Sequence, residues 1–120
     1  VTFGYSPDGL VGDDGLIEIK SRRQRYQVET IMSGQVPAEY MAQIQTGLMV
    51  TGRAWLDFIS YSAGLPMFVS RVYPDLEYQA AITEAAIEFD EAVEAIIDTY
   101  NIEAEKYHKT ERTNTELEII

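Results

Sequence analysis

A chain of 120 residues is long enough for one domain and short for two, and 46% hydrophobic residues support a packed core rather than a disordered segment. The absence of cysteine excludes disulfides, thiolate zinc sites and iron–sulfur clusters and fits a reducing cytoplasm. No apolar run approaches the roughly 20 residues of a membrane-spanning helix, and the opening VTFGYSPDG lacks the basic-then-apolar order of a signal peptide.

The net charge of -11 argues at first sight against a nucleic-acid partner, but it is unevenly spread. Residues 1–74 hold six basic and seven acidic side chains, and four of those cations lie between Lys20 and Arg25. Residues 75–120 hold three basic and thirteen acidic side chains. The acidity belongs to the C-terminal part, where a solvated helix face is its ordinary explanation.

In chain order, Val1 to Tyr5 is rich in β-formers and runs into the turn signal Ser6-Pro7-Asp8-Gly9. Leu10 and Val11 precede a second turn at Gly12 to Gly15. Leu16-Ile17-Glu18-Ile19-Lys20 then alternates with period two. Residues 1–20 are therefore expected to form a β-meander. Residues 22–32 read as a short helix or a loop. Pro37 suits a first helical position, because its missing N–H needs no partner there. Apolar residues at helical spacing follow as far as Gly52, a candidate C-cap. Ala54 to Tyr61 and Met67 to Tyr73 read as strands of a hairpin turning at Gly64-Leu65-Pro66. After Pro74, Tyr78, Ile82, Phe89, Val93, Ile96 and Tyr100 mark the apolar stripe of a long helix expected to pack on the same core. The tail beyond Asn101 is expected to be helical at first and frayed at its end.

Glu18 and Lys20 stand two apart on a strand and leave the same face, with Ile17 and Ile19 expected to point into the core. The meander would bring the Asp8 turn beside Glu18. Two converging carboxylates make a hard-oxygen site suited to Mg²⁺ or Mn²⁺ and, through it, to phosphodiester hydrolysis. Lys20 would orient the attacking water or help remove its proton. The spacing alone is a weak signal, since a surface ion pair on an exposed strand has the same pattern.

Three stretches in order add to it: Ser6-Pro7-Asp8-Gly9-Leu10 with Gly15 to Lys20, then Tyr40-Met41-Ala42-Gln43-Ile44-Gln45, then Trp55 to Tyr61. Together they resemble the lambda exonuclease and YqaJ-type viral recombinase family of the PD-(D/E)xK nuclease superfamily, over roughly residues 3–73. The resemblance implies an α/β, restriction-endonuclease-like core: a small mixed sheet of meander plus hairpin, flanked by helices, with a long C-terminal helix. It implies that Asp8, Glu18 and the backbone carbonyl of Ile19 ligate Mg²⁺ or Mn²⁺. Lys20 would position the water, and Gln43 would face the site. A solvent-facing role remains open for Gln43, as core packing does for Tyr40. Arg22, Arg23 and Arg25 are either DNA-backbone contacts, through their bidentate guanidinium groups, or a solvated basic loop. Asp13 and Asp14 read as turn residues, and His108 as a surface histidine.

The family's domain begins earlier, with a helical segment that supplies an acidic metal ligand and basic DNA contacts. Residues 1–120 are accordingly expected to form a single nuclease core without that segment, with residues 75–120 as an acidic helical extension. The implied function is a cytoplasmic, metal-dependent exonuclease acting on double-stranded DNA ends for recombination, with a single-strand annealing protein as partner and a ring of three subunits. The rival expectation is a truncated nuclease-like remnant that binds DNA or assembles without cutting. A restriction-type endonuclease on the same scaffold matches Tyr40–Gln45 and Trp55–Tyr61 less well.

Overall fold

A computed structural model describes residues 1–112. Its elements are β1 (Gly9–Val11), β2 (Gly15–Ser21), α1 (Gln24–Ser33), α2 (Ala38–Thr51), β3 (Trp55–Tyr61), β4 (Phe68–Val72) and α3 (Leu76–Ala104). The strands form one mixed sheet in the order β1-β2-β3-β4. β1 and β2 are antiparallel, β2 and β3 parallel, and β3 and β4 antiparallel. The parallel pair requires a crossover, which α1 and α2 supply. The chain divides into two units, Val1–Ala86 and Ile87–Ile120.

The core lies in the first unit. Leu16 of β2 and Leu56 and Phe58 of β3 meet Ile44 and Leu48 of α2, with Tyr5, Val36, Tyr40, Met41, Phe68 and Val72 packed around them. Both crossover helices end as their sequence dictates. Gly34 and Gly52 adopt left-handed φ values of 66° and 67°, and their N–H groups close the last turns on Thr30 and Leu48. Pro37 is the N-cap of α2, so the helix starts at Ala38, one residue after the expected start.

The buried polar side chains tie elements together. Gln27 of α1 donates to the carbonyls of Ser60 and Pro66 at 2.9 and 3.0 Å and accepts from the Ser60 hydroxyl. Gln45 of α2 donates to the Tyr73 carbonyl and accepts from the Asp75 N–H and the Gln79 amide. Among the described residues, no buried side-chain nitrogen or oxygen lacks a partner.

Three expectations are corrected. Residues 1–7 form no strand, so the meander reduces to the β1–β2 hairpin. Pro7 has no N–H to extend the ladder, and Tyr5 packs against the core instead. Second, the faces of β2 are reversed. Leu16 and Glu18 are buried, whereas Ile19 is 45% exposed and Ile17 only half-buried. The crossover helices cover the Glu18 face, which carries Leu56 and Phe58 opposite it on β3. Third, the stripe of α3 is only partly buried: Tyr78, Gln79, Ile82, Thr83 and Val93 are at least half-buried, but Phe89, Ile96, Ile97 and Tyr100 are exposed. α3 ends at Ala104, and the expected fraying of the tail falls on residues 113–120, outside the described residues. No helix among the described residues is long and apolar enough to cross a membrane.

Candidate metal and phosphate site

The β1–β2 register pairs Gly9 with Ile17, which sets Asp8 beside Glu18 just before β1 begins. Asp8 is locked there from both sides. Its own N–H donates to the Ile17 carbonyl at 3.2 Å, and its Oδ2 accepts the Ile19 N–H at 2.7 Å. In a strand, the N–H and C=O of one residue point to the same edge. The Ile19 carbonyl therefore faces the Asp8 edge, where the preceding Pro7 has no N–H to offer it.

Glu18 is 2% exposed. Its Oε1 accepts the Tyr5 hydroxyl at 3.3 Å. Burial, and then the neighbouring Asp8 charge, push the Glu18 carboxyl above the usual carboxylate range, while Lys20 and the Tyr5 hydrogen bond pull it down. Burial and the nearby Glu18 raise the Tyr5 hydroxyl in turn, so Tyr5 stays a donor. Two residues along β2, Lys20 Nζ donates to Gln43 Oε1 at 3.0 Å and lies 5.2 Å from the Tyr40 ring centre. Asp8, Glu18, Lys20 and Gln43 thus form one connected group, built from the β1 turn, β2 and α2.

The donor set is two carboxylates and a backbone carbonyl, all hard oxygens, which suits Mg²⁺ or Mn²⁺ and not a soft metal. Among the described residues no group of three His, Cys, Asp or Glu side chains gathers.

The three arginines separate. The Arg22 side chain is 7% exposed, donates to Thr30 Oγ1 and pairs with Glu39 at 3.5 Å. It also lies 5.6 and 5.5 Å from the Tyr26 and Tyr40 rings. Arg23, the N-cap of α1, and Arg25, bonded to the Tyr26 hydroxyl, are exposed. An open cleft of about 360 Å³ is lined by Ser21, Arg22, Arg23, Tyr26, Glu39 and Tyr40. Tyr40 thereby stands between this cleft and Lys20. Asp13 and Asp14 occupy the turn, where the Asp14 carbonyl accepts from Ala54 and Trp55. His108 is exposed.

Sequence reasoning missed Tyr5. The one available signal was Gly47, a glycine inside a helix, which costs about 1 kcal/mol relative to alanine and so calls for a packing reason.

The family described as the YqaJ-like viral recombinase domain matches residues 2–54, a span that holds Asp8, Glu18, Lys20 and Gln43. No curated protein matches the chain. Solved structures similar to it include an alkaline exonuclease, LHK-Exo, from Laribacter hongkongensis, and LHK-Exo in complex with dAMP. Each is 42% identical with a TM-score of 0.77, over 84% of this chain and 54% of the exonuclease. The chain therefore spans about half the length of that relative. The chain is thus similar to the YqaJ-like viral recombinase domain over residues 2–54 and, over a longer span, to an alkaline exonuclease.

Proposed function

We propose that the chain carries the catalytic core of a metal-dependent deoxyribonuclease that removes nucleotides from duplex DNA ends. The observation that carries this reading is the junction of Asp8 and buried Glu18 with a lysine anchored by Gln43. A bound Mg²⁺ or Mn²⁺ would acidify the attacking water and offset charge on the scissile phosphate. Asp8, Glu18 and the Ile19 carbonyl hold that ion. Lys20, as an ammonium, orients the water, and the Gln43 hydrogen bond keeps it from swinging into solvent. Arg23 and Arg25 are the exposed guanidinium groups of the triplet and contact the DNA backbone. Arg22 acts at the wall of the cleft between them and Tyr40.

The similarity to an alkaline exonuclease solved with dAMP supports a DNA substrate. A cytoplasmic setting, a single-strand annealing partner and a three-subunit ring belong to the same reading through the family. Residues 1–120 are then a single nuclease core, with residues 75–120 as its acidic helical extension. The charge distribution favours one second reading, a nuclease-like module that binds or assembles without cutting, because residues 75–120 repel DNA.

The test is end-labelled duplex DNA incubated with the chain and Mg²⁺. Mononucleotide release that stops on addition of EDTA and is lost in Asp8→Asn supports the nuclease. Intact DNA, or equal release by Asp8→Asn, excludes it.

A further inference from the structure

We infer that Tyr5 is a positioning residue for the metal ligand Glu18, and that Gly47 exists to seat it. The inference rests on the metal-site reading above and names two residues that reading does not use. Glu18 is buried, and a buried carboxylate needs a donor to fix which oxygen it presents. The Tyr5 hydroxyl binds Oε1 at 3.3 Å, which leaves Oε2 for a divalent cation. Glu18 would then serve as a one-oxygen ligand of defined orientation.

Tyr5 lies in the stretch of residues 1–7, outside any ladder, so no strand register fixes it. Its ring rests on the bare backbone of α2. A Cβ at position 47 would stand 2.5 Å from Tyr5 Cζ and 2.6 and 2.8 Å from its two Cε atoms. Gly47 is helical and is not among the positive-φ glycines, which are Gly12, Gly34, Gly52 and Gly64. Backbone conformation therefore does not demand glycine there; room for the ring does. A helix-weakening residue is tolerated at this point because the ring above it delivers the hydroxyl to Glu18.

The two residues should act as one unit. The experiment titrates Mn²⁺ into the full chain by calorimetry for wild type, Tyr5→Phe, Gly47→Ala and the double variant, with thermal unfolding of each. Tyr5→Phe keeps the ring and removes only the hydroxyl. It is expected to weaken Mn²⁺ binding about tenfold, the usual effect of removing a group that orients a metal ligand, with little change in Tm. Gly47→Ala is expected to weaken binding equally and to lower Tm. The double variant should bind no worse than either single one, because each removes the same hydrogen bond. Wild-type affinity in Tyr5→Phe, or losses that multiply in the double variant, overturn the inference while leaving the metal site intact. A wild type that takes up no Mn²⁺ overturns the metal-site reading itself and this inference with it. If Gly47→Ala fails to fold, Tyr5→Phe alone decides.

Discussion

Glu18 concentrates the tension of the site: a carboxylate with almost no access to water beside a second carboxylate. Burial and Asp8 make the folded chain hold the Glu18 proton to higher pH than the unfolded chain does. Folding therefore takes up a proton in that interval. Stability falls as pH rises through it and stays lower above it. Glu18→Gln removes the ionisation and preserves the Tyr5 hydrogen bond. It is expected to be more stable than wild type at pH 7, with the advantage shrinking as pH falls through the ordinary carboxylate range. Urea unfolding at pH 7 and through that range measures this, and a variant less stable at pH 7 contradicts it. Lys20 and Gln43 predict a graded pair in a DNA-degradation assay. Lys20→Met should reduce kcat at least about a hundredfold, and Gln43→Ala less, because Gln43 acts only through Lys20. Equal losses would place Gln43 on the substrate itself. Asp8, Glu18 and Lys20 were legible in sequence because a turn and a period-two strand fix their neighbourhood. Tyr5 was not, because its position depends on a close approach between an irregular stretch and a helix.

At the scale of elements, period two shows which side chains share a face but not which face is covered. Charge on Glu18 and Lys20 suggested the outer face, and the isoleucines the inner. The crossover helices decided otherwise, because Ile44 and Leu48 of α2 meet Leu16, Leu56 and Phe58. The other face is held by different means. Arg71 forms a two-pronged pair with Asp57 at 2.9 and 3.0 Å and stacks 3.7 Å from the Trp55 ring centre. Trp55 in turn lies on Gly15, its register partner, where a Cβ would collide with the indole. Gly15→Ala is therefore expected to cost about 1–3 kcal/mol through overpacking. Urea unfolding followed by the fluorescence of the single tryptophan reads both the cost and the displaced ring. An unchanged midpoint would show that the indole yields freely. α2 and the 55–72 hairpin were legible within a residue or two because proline, glycine and β-branched residues mark their ends, whereas α1 read equally as a short helix or a loop.

For the whole molecule, the two units make different demands on their side chains. Leu48 belongs to the core of Val1–Ala86, and Leu48→Ala is expected to cost about 2–5 kcal/mol. Phe89 and Ile96 belong to Ile87–Ile120 and are 67% and 68% exposed. Phe89→Ser and Ile96→Ser should shift stability by no more than about 0.5 kcal/mol. A larger loss in the cooperative unfolding transition would show that these side chains are covered in solution. The helical period correctly foretold α3 but not its exposure, because an apolar stripe does not say what lies against it.

All of the proposed chemistry depends on whether Asp8 and Glu18 together hold a hard divalent cation. Calorimetric titration of Mg²⁺ and Mn²⁺ into wild type and Glu18→Gln measures this directly. Binding in wild type that disappears in the variant is the predicted result, because the amide brings no charge and leaves Asp8 as the only carboxylate. Binding that survives unchanged in Glu18→Gln, or no binding in either protein, would contradict a metal centre at this junction and with it the nuclease mechanism.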